Sequence, residues 1–82
     1  NPFNPITTIK YELIKDLHVR IIVYDLLGNI VNNLFEANQL SGSKSIQWDG
    51  TNNNGYSVSS GMYVYRIEAG NIIHTAKMIL IK

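Results

Sequence analysis

The sequence predicts an all-β domain of antiparallel sheets, and three observations predict it. Ile, Val, Thr, Tyr, Phe and Trp fill 29 of the 82 positions while Ala fills three, a balance that favours pleated, half-buried surfaces over helices. Apolar residues recur with period two, and no window of ten or more residues carries an i, i+3, i+4 stripe, so essentially no helix is expected. Turn residues break the apolar runs at the short spacing typical of stacked strands.

Each element follows in order. Residues 1–6 read as a linker or lead-in, because Pro2 and Pro5 each push the preceding residue into extended backbone; Phe3 and Ile6 are expected to tuck over the end of the domain. A first strand over 7–13 alternates Ile9, Tyr11 and Leu13 with Lys10 and Glu12. A second over 18–25 alternates Val19, Ile21 and Val23 with Arg20, Ile22 and Tyr24. Asp25-Leu26-Leu27-Gly28-Asn29 then makes a tight hairpin in which Gly28 can take positive φ. A third strand spans 29–36, and Ser41-Gly42-Ser43 breaks before a fourth over 43–49 carrying Ile46 and Trp48. A long polar loop from Asp49-Gly50 to Gly55 leads to a short strand over 56–59. The last two strands, 62–69 and 72–81, are joined by a two-residue turn at Gly70-Asn71. Seven short strands in about 80 residues fit an immunoglobulin-like (fibronectin III-like) β-sandwich over residues 7–82. Trp48, Val23, Ile21 and Tyr11 are its expected core.

Composition excludes several classes of function. The absence of cysteine removes disulfide scaffolds, thiolate metal sites and thiol catalysis. A net charge of +1 supplies no basic field to attract nucleic acid or anionic membrane. No apolar run approaches the ~20 residues that span a bilayer. A start at Asn1, without methionine or signal segment, suggests a piece of a longer protein.

Candidate chemistry is sparse. Asp49, Thr51 and Asn53 alternate oxygen-bearing side chains, as calcium loops do, but only one carboxylate is present and Ser60 stands where a bidentate acid belongs. Asn and Gly also suit any turn, so a turn network is the expectation and no metal or cofactor is assigned. His18 and His74 lie 56 residues apart among apolar neighbours, with no G-x-S-x-G elbow. The six acids show no pairing suited to acid–base work. No enzyme and no small-molecule substrate is expected. Tyr24, Tyr56, Tyr63, Tyr65 and Trp48 could stack on sugars, against the plainer expectation that they fill core and rim. The closing run Ala76-Lys77-Met78-Ile79-Leu80-Ile81-Lys82 is β-prone and adhesive if exposed, its lysines acting as gatekeepers. It could also serve as a C-terminal address.

The motifs occur in a familiar order: Asn1-Pro2-Phe3-Asn4-Pro5, Thr8-Ile9-Lys10-Tyr11, Val23-Tyr24-Asp25-Leu26-Leu27-Gly28, Gln47-Trp48-Asp49-Gly50, Ser60-Gly61-Met62-Tyr63-Val64-Tyr65-Arg66, and Lys77-Met78 to Lys82. This set resembles the type A C-terminal sorting domain of type IX secretion substrates. It is also similar to the immunoglobulin-like domain of the flagellar hook-capping protein. The first resemblance implies a non-catalytic sorting and anchoring module of a larger secreted bacterial protein. Its partners would be the outer-membrane secretion translocon, a sortase-type surface peptidase and a passenger domain N-terminal to Asn1. Its location would be secreted or at the cell surface, by way of the periplasm. Matched by motif, Gly61 and Tyr63 correspond to a glycine–tyrosine block, and Lys77, Met78, Ile79, Leu80, Ile81 and Lys82 to the terminal lysine-flanked strand. Asn1, Pro2, Phe3, Asn4 and Pro5 correspond to the lead-in motif, near or before which cleavage would fall. The asparagine-rich loop departs from the more acidic loop of many members. The alternatives are a hook-cap-type assembly domain and a carbohydrate-binding or adhesive module appended to a secreted hydrolase.

Overall fold

The computed structural model describes residues 6–82. Six strands follow one another: β1 (Thr7–Leu13), β2 (Leu17–Tyr24), β3 (Ile30–Gln39), β4 (Gly42–Trp48), β5 (Gly61–Ala69) and β6 (Ile72–Leu80). All pairs are antiparallel, in a two-stranded sheet β1–β4 and a four-stranded sheet ordered β3–β2–β5–β6. No helix occurs among the described residues.

The period-two pattern becomes a single apolar layer shared by both sheets. Ile9, Leu13 and Trp48 contribute from the smaller sheet; Val19, Ile21, Val23, Tyr63, Ile67, Met78 and Leu80 contribute from the larger. β2 lies inside its sheet between β3 and β5, so its alternate apolar residues have no exposed flank. Ile22 points to the opposite face and is also fully buried. Arg66 stands directly across from it and reaches over the Tyr24 ring, 5.4 Å from the centroid. The guanidinium is held there by Glu68 at 2.6 Å, so the arginine stem covers apolar surface while its head stays polar.

β3 departs from simple alternation. Its register against β2 slips twice, between Ile21 and Ile22 and between Val23 and Tyr24, leaving Leu34 and Val31 without opposite partners. Such bulges re-aim side chains, and both residues pack against the core. The strand runs on to Gln39, beyond the predicted limit of 36, because Ala37, Asn38 and Gln39 continue the pairing with Val19, His18 and Leu17 of β2. The β2–β3 hairpin closes as expected: Asp25 O accepts from Gly28 N–H, Gly28 has φ 89°, and the Asp25 carboxylate accepts from Leu27 and Asn29 N–H.

Three expectations need correction. The predicted strand over 56–59 is not a strand: only an isolated bridge pairs Thr51 with Ser57, so six strands form rather than seven. Of its four residues only Val58 packs on the core, from a loop, while Tyr56 is exposed. Tyr11 flanks the core instead of lying within it, because its hydroxyl reaches out to donate to Gln39 Oε1 at 2.6 Å. Burial raises the Tyr11 pKa above its ordinary value. Ile6 is 55% exposed rather than tucked away. The lead-in motif Asn1–Pro5 lies outside the described residues.

Trp48 is fully buried, its ring edge-on to Tyr63 at a centroid distance of 5.0 Å. Trp48→Ala is expected to cost about 3–5 kcal/mol through lost burial and the cavity left behind. Urea unfolding followed by circular dichroism measures this, and a loss below about 1 kcal/mol would show that the tryptophan does not hold the sheets together.

Candidate interaction surface

The residues matched to the glycine–tyrosine block and to the terminal strand come together in space. Antiparallel pairing of β5 with β6 sets Gly61 against Leu80, Met62 against Ile79, Tyr63 against Met78 and Val64 against Lys77. The pleat then divides them. Tyr63, Met78 and Leu80 turn inward and are buried, whereas Met62, Lys77, Ile79, Ile81 and Lys82 face solvent. A partner approaching the folded domain therefore meets only the second set.

The buried members have structural duties. Tyr63 packs on Trp48 and donates its hydroxyl to Ser59 O at 2.6 Å, fixing the turn that leads into its own strand. Gly61 takes φ 153°, a backbone that residues with a Cβ seldom adopt. Trp48 Nε1–H donates to Thr51 O at 2.8 Å, and Asn32 Nδ2–H donates to the same oxygen at 2.7 Å. Beyond β6, Lys82 is drawn back onto the loop: its N–H meets Ser60 Oγ and its ammonium donates to Ser57 Oγ at 2.6 Å.

The asparagine-rich loop spends its side-chain oxygens on hydrogen bonds within itself and to β3. Asp49 Oδ1 accepts from the Thr51 N–H and hydroxyl, and Asn52 Oδ1 accepts from the Asn54 and Tyr56 N–H groups. Asn53 ties the loop to β3, accepting from Asn33 N–H and donating its own N–H to Val31 O. The aromatics form no common platform: Trp48 and Tyr63 are enclosed, Tyr24 lies under Arg66 on the outer face, and Tyr56 projects from the loop.

Both histidines are exposed, His18 on β2 and His74 on the edge strand β6. Glu36 Oε2 lies 2.9 Å from His18 Nε2, and Asn38 Oδ1 lies 2.8 Å from Nδ1. Two oxygens facing one ring favour the form with both nitrogens protonated, so the Glu36 contact, then that of Asn38, raises the His18 pKa.

Sequence reasoning missed an apolar groove of about 240 Å³ between the outer edge of β1 and the β5–β6 hairpin. Leu13, Ile14, Leu17, Ile67, Ile72 and His74 line it. Its only trace in the sequence is the placement of Ile14 and Ile72 at strand ends.

The family profile of the FlgD Ig-like domain matches residues 6–72. The chain belongs to the FlgD Ig-like family. A similar solved structure is FlgD from P. aeruginosa, with a TM-score of 0.71 and 25% sequence identity. The match covers 92% of this chain and 59% of that one. No curated protein matches the chain. In this FlgD-type domain the family match takes in β1 to β5 and the following turn, and ends where β6 begins.

Tyr63→Phe is expected to cost about 1 kcal/mol by deleting the bond to Ser59 while keeping the ring in place; chemical denaturation reads the difference. The His18 ring should titrate above 6.5 in a proton NMR experiment, and Glu36→Gln should bring it down. Because the folded value is the higher one, the stabilisation is fully present below the unfolded pKa and fades as pH rises through the folded one.

Proposed function

We propose that this FlgD-type domain is a non-catalytic immunoglobulin-like, fibronectin III-like β-sandwich module that holds a larger bacterial protein in a protein assembly of hook-cap type. The match of residues 6–72 to the FlgD Ig-like domain carries this reading. The site chemistry agrees with it. The loop carboxylate and amides are spent on hydrogen bonds within the loop and to β3, the histidines sit on separate strands, and the aromatics share no common platform. What the surface offers is strand edges and exposed isoleucines, the materials of protein contact.

A second reading is favoured by a separate observation. The sequence blocks that resemble a type IX sorting signal include Asn1–Pro5 and Lys77–Lys82, both beyond the matched span. Pairing of β5 with β6 sets the second of these beside Gly61–Tyr63. In this reading the domain labels a secreted protein for the outer-membrane translocon. A receptor strand would add to the closing strand, with side chains at alternate positions giving selectivity. A passenger would precede Asn1, a sortase-type peptidase would act near it, and the product would be secreted or held at the cell surface.

One pair of experiments separates the two. Residues 1–82 fused to a fluorescent reporter, in a host with type IX secretion, should reach the surface only under the sorting reading, and removal of Ile79–Lys82 should stop it. Undiminished delivery by the truncated fusion would eliminate that reading. Under the assembly reading, the purified domain should co-sediment with flagellar hook or cap subunits; failure to associate with either would eliminate that one.

A further inference from the structure

We infer that the outer edge of β6 is a self-association surface, on which a second copy of this chain pairs antiparallel about a two-fold axis normal to the sheet, midway between the two Ala76 residues. A free sheet edge is a row of unpaired backbone donors and acceptors, and folded proteins ordinarily blunt it. The other edges here are blunted. β3 carries two bulges and is tied to the loop through Asn53. β4 turns Lys44 toward the inner face, and β1 presents Lys10 and Glu12 outward. β6 differs from all three. It runs nine residues with unbroken register against β5, and among the described residues pairs with nothing else. Ile72, Ile73 and Ile79 along it are about 60% exposed.

The strand's own pattern selects the partner. A two-fold normal to the sheet keeps each face on its own side, so residues of like parity must stand opposite one another. Centring on Ala76, the midpoint of Ile72–Leu80, uses the whole strand. On the outer face it sets Ile73 against Ile79 of the second copy, and Thr75 against its Lys77, each pair occurring twice. On the inner face it sets Ile72 against Leu80. Shifting the axis to Lys77 would put the two lysines face to face, which is destabilising. Shifting it to Thr75 would leave Ile79 against Asn71. Lys77 therefore discriminates among registers without blocking this one. The inference rests on neither function proposed above, and a receptor strand adding to β6 would compete with the second copy for the same edge.

Sedimentation equilibrium of residues 1–82 should reveal a concentration-dependent dimer. Thr75→Lys places like charges across both pairs and should weaken it about two- to thirty-fold, whereas Thr75→Glu should tighten it by a similar factor. Adding Lys77→Glu to Thr75→Lys should restore association. Thr75 is exposed and stands across from Arg66 on β5, so thermal unfolding of each variant is the control for a retained fold. A monomer at every concentration, or Thr75→Lys and Thr75→Glu shifting the equilibrium the same way, would overturn the proposal.

Discussion

The fold depends on the burial of Trp48 between its sheets. A chain of 82 residues has one small core, and a sheet of only two strands can present few large side chains to it. Removing a tryptophan side chain from water is worth about 5 kcal/mol before entropy is counted. The indole also organises its surroundings through its one donor. Its N–H fixes Thr51 O, which accepts from Asn32 on β3 as well, so one carbonyl links the smaller sheet, the long loop and the edge of the larger sheet. Tyr63 completes the arrangement by meeting the indole edge and anchoring Ser59. The segment between β4 and β5 is thereby held at both ends without a strand of its own.

That constraint explains how function is distributed. Side chains that looked like recognition elements are partly consumed by the core. Tyr63, Met78 and Leu80 hold the sheets together, and Gly61 supplies a backbone conformation. What remains on the surface is an alternating set on β6 and its extension. The domain's capacity to interact thus resides less in any single residue than in a continuous backbone edge flanked by isoleucines.

The two sheets also differ in width, and this shapes the molecule. Strands lie about 4.8 Å apart, so β1 and β4 cover a band far narrower than four strands present. On the β3 side the loop from Asp49 to Ser60 fills the difference. On the β6 side Ile72 and His74 stay exposed beside the groove next to β1.

Much of this was legible in the sequence. Period-two alternation fixed five strands nearly to the residue, the Asp25–Asn29 hairpin followed from turn chemistry, and the burial of Trp48, Ile21 and Val23 followed from size and pattern. These are local properties, set by a residue and its neighbours two positions away. The rest required the folded molecule. Whether 56–59 becomes a strand depends on a partner edge, and the β3 edge is bonded by Asn53 while Ser57 bridges only to Thr51 within the loop. Whether Tyr11 is core or rim depends on Gln39, 28 positions away, accepting its hydroxyl. Whether β6 is enclosed or exposed depends on sheet order, which alternation cannot encode because every strand of a two-layer fold carries the same period. Sequence alone determined which residues seek burial; the tertiary structure decided which edges are left without a neighbour, because that is a property of strands separated by most of the chain.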